Sequence, residues 1–148
     1  PGGEKTSLDD SSWPLIKVGT SIQEKVFWLR HLFVVPEVFS GVKTEGSKIR
    51  LVCLFRGLGV MEGQFFKNGE LEESFRLDFG NQAGEIRKVF TLRSKAKPGE
   101  RMLLAFRFKN LGRLPLIENK DVESGTFLRL QDVRFQINSA RKALQWLS

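Results

Sequence analysis

The residues able to do chemistry are few. His31 is the single histidine and Cys53 the single cysteine. One imidazole and one thiol cannot assemble a zinc cluster alone. Their placement does not exclude a Cys–His nucleophilic pair, but Cys53 stands at an alternating position in an apolar stretch, where a cysteine serves as a small core residue. The carboxylates Glu62, Glu70, Glu72, Glu73, Asp78, Asp121 and Asp132 single out no pair of the kind a glycosidase needs, two carboxyls at a fixed separation with one raised in pKa by burial. Asp132 is the most interesting of them, because it lies inside a long strand pattern as a partner for a neighbouring arginine or as a ligand contact. Trp13, Trp28 and Trp146 could offer indole faces to sugar rings, against the commoner use of tryptophan as core or interface area. "GLGVMEG" at 57–63 has the glycines of a phosphate loop but leads into a strand. A phosphate site needs a helix N-terminus there, so the segment reads as a bulge or bend.

These residues must be positioned by a chain of 148 residues, 41% hydrophobic and 28% charged, which is the composition of one globular domain. No apolar run has the length of a membrane span. The first dozen residues, "PGGEKTSLDDSS", are small, polar and acidic and read as a flexible leader without signal-peptide character. That start and the single cysteine lean toward the cytoplasm. Net charge is +7, which raises nucleic acid as a partner. Arg50, Arg56, Lys67, Arg76, Arg87, Lys88, Arg107, Lys109, Arg129 and Arg134 alternate with apolar residues, however, and such dispersed charge suits the solvent faces of strands better than a phosphate-binding cluster. Nucleic acid is disfavoured, and no cofactor or metal is expected.

Alternation with period two predicts the elements. "VFWLRHLFVV" at 26–35 is a strand stopped by Pro36, with Phe27, Leu29, Phe33 and Val35 on one side and Arg30 on the other. "SKIRLVCLFRG" at 47–57 puts Ile49, Leu51, Cys53 and Phe55 on one face and Val52 and Leu54 on the other, which suits an interior strand. Asn68-Gly69 is a type I′ hairpin signal between "GQFFK" and "ELEESF". "EIRKVFTL" and "RMLLAFRF" follow as strands about a Pro98-Gly99 turn, and Met102, Leu104, Phe106 and Phe108 share a face. After a long loop, "TFLRLQDVRFQI" supplies a strand of about a dozen residues by the same alternation. "NSARKALQWLS" then changes pattern: Asn138 or Ser139 as N-cap, helix formers, and Leu144 and Leu147 at helical spacing predict a short C-terminal helix. The fold class is therefore all-β, an antiparallel β-sandwich, with a leader at 1–12, the sandwich at 13–137 and a helical tail or linker at 138–148. The 13 phenylalanines, with no tyrosine, suit a core that leaves no hydroxyl to satisfy.

The order of these pieces is more specific than any one of them. "VFWLRHLFVVPE", then "GSKIRLVCLFRGLG", then "GQFFKNGELEES", then "FTLRSKAKPGERMLLAFRFKN" resembles the galactose-binding-like, jelly-roll sandwich that forms the N-terminal sugar-binding domain of large glycoside hydrolases. Trp28, Arg30 and Pro36 match that family's first strand, Gly46 to Phe55 its second, Asn68 and Gly69 its hairpin, and Lys97 to Glu100 the turn before Leu104, Ala105 and Arg107. Leu29 stands where an aromatic is usual, and Phe66-Lys67 where valine is. The tail looks more like the α-mannosidase branch than the β-galactosidase/β-glucuronidase branch. The resemblance implies a non-catalytic accessory domain, with a catalytic domain of the same parent chain and a carbohydrate as its partners. Trp13, Trp28, Asn68 and Asp132 are the candidate sugar contacts. The alternatives are a free-standing carbohydrate-binding module and a protein-interaction sandwich with no sugar role.

Overall fold

A computed structural model describes residues 3–4, 18–39, 41–112, 126–138 and 144–147, the last stretch through its backbone pairing alone. Its strands, in chain order, are β1 (Ser21–Ile22), β2 (Val26–Val34), β3 (Val38–Phe39), β4 (Val42–Lys43), β5 (Lys48–Leu58), β6 (Val60–Lys67), β7 (Glu70–Asp78), β8 (Gly84–Arg93), β9 (Arg101–Gly112), β10 (Phe127–Asn138) and β11 (Leu144–Leu147). One sheet runs β1-β10-β5-β8, with β11 also on β10; the second runs β2-β9-β6-β7; β3 and β4 form a small hairpin. Every pairing is antiparallel. The predicted antiparallel β-sandwich is what the chain forms.

The alternation read from the sequence decides which side of each strand is buried. Ile49, Leu51, Cys53 and Phe55 of β5 and Met102, Leu104, Phe106 and Phe108 of β9 all lie in the core. Phenylalanines join the two sheets across it. Phe90 of β8 meets Phe65 and Phe106 at 4.7 and 5.3 Å between ring centroids, Phe55 meets Phe108 edge-on at 5.6 Å, and Phe33 stacks on Phe135 at 4.0 Å. Each such contact adds about 0.5–1.5 kcal/mol beyond the area it buries.

Two further rings, Phe79 and Phe75, explain the glycines at 57 and 63. A Cβ on Gly57 would lie 2.6 Å from the Phe79 ring, and one on Gly63 would lie 2.4 Å from that of Phe75. Gly63 is the direct cross-strand partner of Phe75, so the missing side chain is the room the ring occupies. Gly59, at φ 89°, is the single residue by which the chain leaves β5 in one sheet and enters β6 in the other. Its N–H donates to the Gly80 carbonyl and its carbonyl accepts from Phe79, tying this crossing to the one between β7 and β8. The segment is the bend between strands that its sequence predicts.

One expectation is corrected. The sequence predicts a short C-terminal helix within the tail or linker at 138–148, but the described Leu144–Leu147 is a strand, with Leu147 opposite Phe135 and Leu144 opposite Asn138. A lone helix of about ten residues is marginal in water, and the local preference for it amounts to only tenths of a kcal/mol per residue. Among the described residues β10 pairs with β1 at Leu128 and Arg129, and the other end of that edge is the ladder that the returning segment completes.

Candidate functional site

The Asn68-Gly69 turn has both residues at positive φ, 50° and 85°, as a type I′ turn requires. Asn68 also ties the turn to the neighbouring strand. Its backbone N–H donates to the Leu103 carbonyl at 2.9 Å, and its side-chain Oδ1 accepts the Leu103 N–H at 2.8 Å. Beside it Lys67 reaches across to the other sheet, donating to the Leu92 carbonyl at 2.9 Å while pairing with Glu72 at 2.9 Å. Lys88 makes a second crossing, to Glu73, with its ammonium 5.3 Å from the Phe75 ring centroid. Arg93 holds Glu100 through a two-pronged contact at the Pro98-Gly99 turn. The hydrogen bond from Arg93 and its charge keep the Glu100 carboxyl below the ordinary glutamate range, and the same bond raises Arg93.

The outward face of the second sheet carries an aromatic-apolar patch. Trp28 and Phe66 have ring centroids 5.5 Å apart. The β9 residue between their strands is Ala105, which pairs with Arg30 on one side and Phe66 on the other. Although it points outward, Ala105 is only 1% exposed. Leu32 and Val34 on β2 and Leu71 on β7 are exposed around this patch. Arg107, partner of both Trp28 and Gln64, supplies a charge at its border. Gly3 packs on the indole of Trp28, where a Cβ would fall 2.3 Å from a ring atom. The indole N–H is buried with no hydrogen-bond partner among the described residues.

The other candidates lie elsewhere. Asp132 follows a register shift in β10, on the outward face of the first sheet, where its carboxylate accepts from Arg134 at 2.9 Å. Trp28 and Asp132 therefore sit on opposite sheets, whereas Asn68 lies at one end of the sheet that carries Trp28. Trp13 and Asp121 lie outside the described residues. His31 is exposed on β2 with its ring 6.0 Å from that of Phe135, and partial burial lowers its pKa. Cys53 is fully buried in β5, and burial, with the Asp132 charge second, pushes its thiol up to about 12. Among the described residues no three His, Cys, Asp or Glu side chains group so as to hold a metal ion, and no helix is long and apolar enough to cross a membrane. The described carboxylates are spread over the surface, with Glu72, Glu73, Glu85, Glu100 and Asp132 in ion pairs.

Sequence reasoning found the Trp28 strand but missed Phe66 and Ala105 as its companions. The signal was present in the alternation of "GQFFK" and "LLAF", which turns Phe66 and Ala105 away from the core. What alternation lacks is the register that sets them side by side.

No protein-family model and no curated protein matches the sequence. Solved structures to which the chain is similar include β-glucuronidase from Ruminococcus gnavus. One crystal structure of that enzyme aligns with TM-score 0.40 and 12% identity, over 88% of this chain and 30% of the other. A second gives 0.41 and 15%, over 86% and 27%, and its complex with uronic isofagomine gives 0.42 and 14%, over 88% and 29%. The chain thus spans under a third of the length of these enzymes.

Proposed function

We propose that this chain is a non-catalytic β-sandwich accessory domain of a glycoside hydrolase, serving as structural support or substrate contact for a catalytic domain outside the chain. The observation that carries the proposal is the outward patch of the second sheet. A solvated sheet face normally alternates to polar residues. Here it has Trp28 packed against Phe66 over a buried alanine, with Leu32, Val34 and Leu71 exposed around them. Apolar area exposed on a sheet face is area for a neighbouring domain to cover, and Arg30, opposite Ala105, stands within it. The order of motifs from Trp28 to Arg107 supplies the kind of neighbour. Of the candidate sugar contacts, Trp28 and, at the end of the sheet, Asn68 are the ones beside such a neighbour.

The test is to produce the region encoded downstream of this chain separately and to measure its binding to the chain by calorimetry. Leu32→Lys and Val34→Lys, both at exposed positions, are expected to weaken that association at least about tenfold, since each buries an unpaired charge in a dry interface. Hydrolysis of aryl glycosides should appear only with the downstream region present. Turnover by the purified chain alone, or association indifferent to both lysines, would overturn the proposal.

A further inference from the structure

The strand alternation that buries one face of the first sheet gathers arginines on the other. Register places Arg129 of β10 opposite Arg56 of β5, and Arg134 opposite Val52. On the far side of β5, Arg87 of β8 lies opposite Leu54. Arg50 completes the set at the β5 position opposite Gln136. Three adjacent strands therefore present guanidinium groups on one outward surface, strands being about 4.8 Å apart and same-face residues about 6.7 Å apart. The floor is apolar: Val52 faces outward yet is only 7% exposed, as expected where long arginine stems lie over a sheet.

Neutral groups steady two of these side chains without cancelling their charge. Arg50 donates to the Gln136 amide oxygen at 3.4 Å, and Arg129 donates to the Ser21 hydroxyl at 3.1 Å and to the Gln131 oxygen at 3.5 Å. Among the described residues, Asp132 pairs with Arg134 and Glu85 with Arg56 on this face. An arginine held by a neutral partner is ordered before anything binds, so less freedom is lost when its fork meets an anion.

We infer that the outward face of β8, β5 and β10 is a docking surface for a linear acidic polysaccharide. Charge complementarity selects an anionic partner, and a row of guanidinium forks suits one whose anionic groups repeat along a chain. The side chains that are missing choose among polyanions. Single-stranded nucleic acid is held by bases stacked on aromatic rings; on β5, β8 and β10 the outward aromatic is Phe127, occupied by the Arg129 guanidinium, 5.5 Å from its centroid, and Trp146 stands apart at the rim, on β11 opposite Gln136. A lipid surface takes apolar anchors, yet among the described residues the exposed large hydrophobics Val18, Val26, Leu32, Val34, Val38 and Leu71 lie off β5, β8 and β10. The inference does not depend on the glycoside hydrolase reading, since it concerns the opposite face and is tested on the chain alone.

The experiment titrates the purified chain with heparin, polygalacturonate, neutral dextran and duplex DNA at two salt concentrations. Arg87→Glu/Arg129→Glu is compared with a charge-matched control on the other sheet, Arg76→Glu/Lys109→Glu, and melting curves establish that both remain folded. Arg87→Gln/Arg129→Gln stands in should the glutamate pair melt early. At least one acidic polysaccharide is expected to bind, more weakly as salt rises, while dextran does not. The β8/β10 variant should lose about tenfold or more, and the control about twofold or less, because only contacting charges are lost at short range. Equal losses in the two variants, tighter binding to duplex DNA than to either polysaccharide, or no binding to heparin and polygalacturonate would each overturn the inference.

Discussion

Replacing Asn68 separates the two roles the hairpin gives it, holding a left-handed backbone and accepting a hydrogen bond. At φ 50° an alanine carries the steric cost that asparagine partly escapes, about 1 kcal/mol. The Oδ1 contact with the Leu103 N–H, 2.8 Å and exposed, contributes about 0.5–1 kcal/mol, the low end for a bond whose donor can turn to water. Asn68→Ala should therefore destabilise the domain by about 2 kcal/mol, lowering Tm by about 4–8 °C for a chain of this size. Asn68→Gly restores the backbone but not the acceptor, and adds some unfolded-state freedom, for a cost of about 1 kcal/mol. Asn68→Asp keeps both features and should stay within about 0.5 kcal/mol of the parent. Urea unfolding at constant m-value is the assay. If glycine costs as much as alanine, the backbone argument fails; if aspartate costs as much as alanine, the hydrogen-bond argument fails.

Gly63→Ala should destabilise by about 1–3 kcal/mol, because the new methyl meets the Phe75 ring within the core; in Phe75→Leu the same change should cost less, and an equal cost in both backgrounds would refute the contact. Cys53 should resist thiol reagents in the native state and react only as the sandwich opens, since the thiol is buried and its pKa is pushed up to about 12; rapid labelling of folded protein would contradict this. Glu100 has a folded pKa below its unfolded one, so its contribution is complete above the ordinary glutamate pKa and is lost as pH falls through the depressed value. Glu100→Gln should accordingly flatten the acid limb of a stability–pH curve and leave its alkaline limb unchanged, and an unaltered acid limb would count against the Arg93 pairing.

What the sequence discloses is set by the range of the forces involved. Alternation at 47–57 and 101–108, and the Asn-Gly pair, are local, so β5, β9 and the β6–β7 hairpin were legible. β11 was not, because its strand form depends on the edge left open by β10 rather than on the preferences of "LQWL". The glycines at 57 and 63 read as a bend, but the Phe79 and Phe75 rings that fill their space come from the far side of the Asn68-Gly69 turn. The arginines of the first sheet looked dispersed for the same reason: Arg87 and Arg129 stand far apart in sequence, and only the shared pairing with β5 brings them onto one surface. The Trp28 patch was legible in its leading residue alone.

The position of β10 between β1 and β5 sets a schedule for synthesis on the ribosome. β8 follows β5 after the β6–β7 hairpin and covers one of its edges, but the partner for the other edge starts about 70 residues after Leu58, a wait of roughly 4–14 s at ordinary elongation rates. Throughout it, Ile49, Leu51, Cys53 and Phe55 belong to an incomplete sheet with an open edge. A nascent chain halted before Phe127 should therefore be held by chaperones or aggregate, whereas one that has cleared Asn138 can close its first sheet.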